Sequence, residues 1–138
     1  PGFGTVEIRV CDIPITFKEI IAIVALIQAL VVTLINTEAY PDTHIQILQS
    51  NKWQAARYGL DGVYVDSKNF QKLSIKKAIE NLFLLVQSAM SSLGTEKYLY
   101  KLEEVLNGST GSTKQRNLYK NSKDFKKVIK TLIEQFYQ

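Results

Sequence analysis

One cysteine and one histidine are all that 138 residues offer of the two most versatile reactive side chains. Cys11 alone cannot close an internal disulfide, which fits a reducing compartment and predicts a cytoplasmic protein. It has no CxxC partner, and His44 is the sole histidine, so a Cys/His metal site is excluded. A Cys11–His44 nucleophilic pair stays open, but a small apolar residue ending a buried strand is the simpler reading of Cys11. Proline is scarce, with three residues, and there is no internal repeat, low-complexity tract or linker. The chain therefore reads as one domain or part of one. The long apolar run, Ile20 to Ile35 with only Gln28 and Thr33 interrupting it, is shorter than the ~20 residues of a membrane span. The start, Pro1-Gly2-Phe3-Gly4, has no methionine and no basic segment ahead of an apolar one. It is expected of a cut through a larger protein.

What is present is globular: 46% hydrophobic and 22% charged residues, with a net charge of +4. That balance is too weakly basic to argue for nucleic acid. Nine of the seventeen Lys and Arg residues fall between Lys97 and Lys130, interleaved with Glu103, Glu104 and Asp124. They read as the wet faces of helices.

Thr5 to Asp12 alternates and predicts a strand, with Val6, Ile8 and Val10 on one face and Glu7 and Arg9 on the other. Glu7 and Arg9 are either solvated sheet decoration or an anion and metal site. In the second case Glu7 supplies oxygen to a hard cation and Arg9 forks onto phosphate or carboxylate. Thr16-Phe17-Lys18-Glu19 reads as a capping box opening a helix from about Phe17 to Glu38. That helix is apolar nearly all round, so it is expected to be buried between layers.

Tyr40-Pro41-Asp42 should close this unit. A second helix is predicted from about His44 to Tyr58, with Gly59 as its C-cap. Residues 63–66 form a short strand or extended loop, and 67–72 a polar connector. Ser74 caps a helix over Ile75–Leu93 ending at Gly94, and Thr95 caps another ending at Asn107-Gly108. The small-residue loop 107–113 is either a helix connector or a phosphate cradle flanked by Lys114 and Arg116. Two amphipathic helices, about Thr113–Tyr119 and Lys123–Tyr137, finish the chain. In the latter Phe125, Val128, Ile129, Leu132 and Phe136 should face inward. Trp53 and Tyr58 are expected in the core. Arg57 either faces a ligand together with Asn51 and Asp61, or forms a structural salt bridge with Asp61 or Asp66.

Two stretches, Gly4-Thr5-Val6-Glu7-Ile8-Arg9-Val10-Cys11-Asp12 and Asn51-Lys52-Trp53-Gln54-Ala55-Ala56-Arg57-Tyr58-Gly59-Leu60-Asp61-Gly62, resemble the YbdK-type carboxylate–amine ligases, the second glutamate–cysteine ligase family. Gly108…Gly111…Gln115-Arg116 is a looser match to that family's Gly-x-Gly-x-x-x-Gln-Arg segment. The resemblance implies an α+β, glutamine synthetase-like catalytic fold, of which residues 1–138 would be the mostly helical C-terminal part of a single domain with one strong strand. It implies ATP-dependent activation of a glutamate-type carboxylate as an acyl phosphate, followed by attack of an amine such as cysteine. By motif position Glu7 would be a Mg²⁺ ligand, and Arg9 would hold ATP's transferring phosphoryl group. Asp12 would order Arg9 or simply turn the chain into the helix. Arg57 would act with Arg9 in catalysis, and Arg116 would contact the nucleotide.

The partners implied are the two small-molecule substrates and the missing N-terminal part of the protein, with a homo-oligomer open. Residues 1–138 alone are expected to be inactive. A non-catalytic helical interaction or regulatory module on the ligase framework, and guanidine or phosphoryl transfer on the same scaffold, are the alternatives.

Overall fold

The computed structural model describes residues 4–37, 43–107 and 110–137. Six helices and one two-stranded antiparallel sheet make up its regular structure, an arrangement compatible with an α+β protein. α1 spans Phe17–Ile35. The Thr16 hydroxyl caps it by accepting from the Glu19 N–H at 3.2 Å, an arrangement worth about 1 kcal/mol. The helix ends at Ile35 with Asn36 as its C-cap, short of the expected Glu38, which lies outside the described residues, as do the Tyr40-Pro41-Asp42 turn and Gly108.

α1 buries one face. Ala22, Ala25 and Ala29 are the small residues that let α3 (Ile75–Leu93) and α4 (Leu99–Leu106) approach. Ala25, Ala29, Val86, Ala89 and Met90 form the core cluster, flanked by Leu26, Leu30, Leu82 and Leu99. The expectation of burial on every side is corrected: Val24, Val31 and Leu34 on the opposite face are exposed. α1 is long and apolar enough to cross a membrane by length and composition. Its alanine face, however, is packed against protein.

α2 spans Ile45–Tyr58 and buries no residue. Trp53 and Tyr58, expected in the core, are 55% and 49% exposed and meet edge to face at 5.5 Å. The helix spends its contacts on the hairpin of β1 (Val63–Val65) and β2 (Lys72–Ser74) instead. β1 is one of the two forms expected for that stretch, and β2 emerges from what read as a connector and a cap. The register pairs Val63 with Ser74 and Val65 with Lys72.

Gly59 ends α2 at φ +59°, ψ −130°, a conformation open to glycine. Gly62 is buried for another reason: a Cβ there would stand 2.8 Å from the Gln54 carbonyl oxygen and 2.7 Å from Ile75 Cδ1. Ser74 caps α3 and Gly94 closes it in the left-handed region, as expected. Thr95 does not cap the next helix. Its hydroxyl donates back to the Met90 carbonyl at 3.4 Å, and a 3-10 turn over Glu96–Tyr98 intervenes before α4.

α5 is longer than expected, Gly111–Ser122, and is capped by Thr110. α6 runs Phe125–Gln135 from an Asp124 cap. Val128 is buried and Leu132 and Phe136 are half-buried, but Phe125 and Ile129, expected to face inward, are exposed. With Ile133 they form an exposed stripe at i, i+4 and i+8, and Phe125 stacks its ring on Tyr119 of α5 with centroids 4.3 Å apart.

The strand expected over Thr5–Asp12 is corrected as well. Among the described residues this segment pairs with no neighbour, and Val6, Ile8 and Val10 stand exposed rather than in a core. Cys11 is likewise exposed instead of closing a buried strand. A strand exists through its hydrogen-bonded partner, and no described element lies alongside.

Candidate functional site

Segments far apart in sequence converge on one open cavity of about 1140 Å³. Arg9 and Asp12 reach it from the N-terminal segment, and Lys52, Arg57 and Asp61 from α2 and the turn after it. Thr110, Ser112, Thr113 and Arg116 reach it from the start of α5. Arg9, Arg57 and Arg116, the arginines singled out in the sequence, thus line the same space. Sequence reasoning missed Lys52 and Lys76, the latter in the first turn of α3. Lys52 lies inside the matched motif, four and five residues before Ala56 and Arg57. Helical spacing puts it beside Ala56, which also lines the cavity, and not on the same stripe as Arg57.

Arg9 Nη2 donates to Glu7 Oε2 at 2.8 Å, and both side chains are mostly exposed. A contact between residues two apart requires both side chains on one side of the chain, as the alternation predicted. Asp12 Oδ1 accepts from the N–H of Ile13 at 2.7 Å, a local turn bond. Arg57 makes no ion pair among the described residues. Asp66 instead accepts from the Lys68 N–H, and Asp61 lines the cavity beside Arg57.

Asn51 does not join that cluster. Its Nδ2 donates to the Val65 carbonyl at 2.9 Å, and its Oδ1 accepts from the Val65 N–H at 2.8 Å. One turn on, Gln54 Oε1 accepts from the Val63 N–H at 3.2 Å. The two amides occupy the edge of β1 that β2 leaves free, as a third strand would.

The first turn of α5 presents free backbone N–H groups and the hydroxyls of Thr110, Ser112 and Thr113 beside the cavity. Arg116 is steered by Ser112, whose Oγ accepts from Nη2 at 3.2 Å. A helix start with a guanidinium beside it favours anions. Lys114 takes no part: it points away and pairs with Glu19 on α1 at 3.2 Å.

The chemistry of this wall is therefore cationic, with three guanidiniums, two ammoniums and a helix N-terminus against two carboxylates, Asp12 and Asp61. His44 stands apart from it at the start of α2, without a side-chain cap bond. No group of three or more His, Cys, Asp and Glu side chains that could cage a metal occurs among the described residues.

A wall of this kind suits an anionic ligand. Residues 1–135 match the model of glutamate-cysteine ligase family 2. Three relatives carry the provisional name glutamate–cysteine ligase 2. That of Gloeobacter violaceus is 34% identical over 94% of this chain, and that of Solibacter usitatus 32% over 98%. That of Sorangium cellulosum is 30% identical over 98%. The chain belongs to glutamate–cysteine ligase family 2. It spans 36–37% of the length of these relatives.

Proposed function

We propose that residues 1–138 form the cationic wall of the active site in an ATP-dependent carboxylate–amine ligase. The observation that carries this reading is the convergence of Arg9, Arg57 and Arg116, with Lys52 and Lys76, on one cavity. Membership of the ligase family supplies the reaction class. ATP phosphorylates a glutamate-type carboxylate, giving an acyl phosphate and ADP. The amine nitrogen, cysteine's in the simplest case, then attacks the acyl carbon, and phosphate leaves as the amide forms.

In that chemistry negative charge accumulates on the transferring phosphoryl oxygens, and fixed cations are the efficient response. Arg9 and Arg116 hold phosphate oxygens, and the N–H groups at the start of α5 receive a phosphate or the acyl phosphate. Arg57 orients the carboxylate to be activated. The donor set fits a polyphosphate. Glu7 fits one carboxylate contribution to Mg²⁺, which is commonly held by one or two carboxylates and the substrate's own phosphates. When bound, the ion would draw charge from the phosphates, and Glu7 would have to release Arg9 toward them.

The exposed apolar faces of α1, α2 and α6, and the unpaired segment 5–12, suit a chain that completes a larger glutamine synthetase-like domain. On this reading residues 1–138 alone are inactive, and the remaining portion of the cytoplasmic protein is their principal partner.

The decisive experiment is phosphate release from Mg-ATP by the intact gene product, with glutamate and a panel of amines, beside its Glu7→Gln variant. Amine-dependent release that collapses in the variant is expected. Equal release from both would remove Glu7 from the site. No release with any amine would turn the reading to the non-catalytic module.

A further inference from the structure

Glu19 is the only buried charged side chain among the described residues, 6% exposed. Such groups are kept when they are fully partnered, because desolvating a carboxylate is costly. Its two oxygens serve different parts of the chain. Oε2 accepts from the Ile15 N–H at 2.9 Å, at the point where the segment bearing Glu7, Arg9 and Asp12 enters α1. Oε1 accepts from Lys114 Nζ at 3.2 Å, one turn into the helix that bears Ser112 and Arg116.

The surroundings favour the same junction. A Cβ on Gly111 would lie 3.4 Å from Ile15 Cγ2, so the start of α5 rests on Ile15. The Phe17 N–H donates to the Phe136 carbonyl at 2.8 Å, fixing the end of α6 there too.

We infer that Glu19 is a positioning residue that sets the spacing between Arg9 and Arg116 across the candidate phosphate site. A capping-box glutamate needs only a nearby backbone N–H, and Ile15 supplies it. The second bond, to a lysine 95 residues away, does nothing for the helix end. It ties two cavity walls to one rigid point. Misplacing a charged contact by about 1 Å is enough to cost a phosphoryl-transfer site on the order of a hundredfold in rate. The catalytic part of this inference rests on the ligase reading above, whereas the geometric part does not.

The test uses the intact protein, with cysteines outside residues 1–138 replaced, and spin labels on exposed Cys11 and on Asn117→Cys in α5. A narrow distance distribution is expected for the parent. It should broaden in Lys114→Met and Glu19→Gln and narrow again in Lys114→Arg, which restores a cation. Lys114→Met and Glu19→Gln should raise KM for ATP about tenfold to a hundredfold, whereas Lys114→Arg should keep KM and the thermal midpoint near the parent's. An unchanged distribution in both Lys114→Met and Glu19→Gln overturns the inference, even if stability and activity fall together. Should the parent release no phosphate from ATP, the ligase reading fails, and the distance distribution alone decides whether Glu19 positions the two walls.

Discussion

The carboxamide of Asn51 exchanges two hydrogen bonds with the main chain of Val65, completing the strand edge that the hairpin leaves open. Replacing Asn51 by Ala strands a half-buried N–H and C=O together. A loss of about 1–3 kcal/mol is expected in urea unfolding. Asn51→Asp keeps the acceptor but not the donor, so it should fall between the two. A ligand role for Asn51 would instead show as weakened ATP binding at unchanged stability.

Two glycines separate steric from conformational cost. Gly62→Ala drives a methyl to 2.7 Å from Ile75 Cδ1, which can rotate aside, and to 2.8 Å from the Gln54 carbonyl oxygen, which cannot yield without moving α2. Destabilisation of about 1–3 kcal/mol is expected. Gly94→Ala meets nothing within 4 Å and bears only its φ of +64°, at about 1 kcal/mol. Calorimetric midpoints of the two variants in the intact protein would rank them, and a reversed order would contradict the packing at Gly62.

Arg57 and Arg116 are exposed cations on one cavity wall. Arg57→Met and Arg116→Met should each change stability by less than about 0.5 kcal/mol, because neither is buried. Each should weaken ATP or pyrophosphate binding by roughly tenfold, about 1.4 kcal/mol, as read by titration calorimetry. The weakening should shrink as salt is raised, since the interaction is between charges at an open surface. Stability losses without a change in affinity would make them structural residues.

Lys101 Nζ lies 2.6 Å from Glu104 Oε2 across one turn of α4. That hydrogen bond holds the Glu104 carboxyl below its ordinary 4.5 and raises the Lys101 ammonium above its ordinary 10.5, against the opposing effect of partial burial. The depressed carboxyl gives stability that is complete above 4.5 and lost as pH falls through its folded value. The raised ammonium gives stability that is complete below 10.5 and lost as pH rises through its folded value. The urea midpoints of the parent and Glu104→Gln should therefore differ by a constant, small amount between those limits and converge beyond them. A gap that persists in acid would point to packing rather than charge.

Four helix ends were readable because their signals are local. Thr16, Ser74, Gly59 and Gly94 each act within a turn of where they stand, and each is found at a helix end. The meeting of Arg9, Arg57 and Arg116 was reachable only through the family resemblance, since no spacing rule links residues on three separate segments. Burial was the least readable property. Trp53, Phe125 and Ile129 are apolar enough for a core, yet all three stand exposed. β2 was hidden by its composition, Lys72-Leu73-Ser74, in which a single apolar residue sits between two polar ones. Glu19 was legible as a cap but not as a tether, because its second partner is remote in sequence.

The exposed stripe of Phe125, Ile129 and Ile133 on α6 also governs how these residues behave as a colloid. With a net charge of only +4 and an isoelectric point near 9.1, mutual repulsion is the main force keeping such faces of separate molecules apart. That force vanishes as the medium approaches the isoelectric point and is screened by salt. Dilute, weakly acidic, low-salt buffer is thus the medium in which residues 1–138 by themselves stay dispersed, and mildly alkaline brine is the one in which they coagulate.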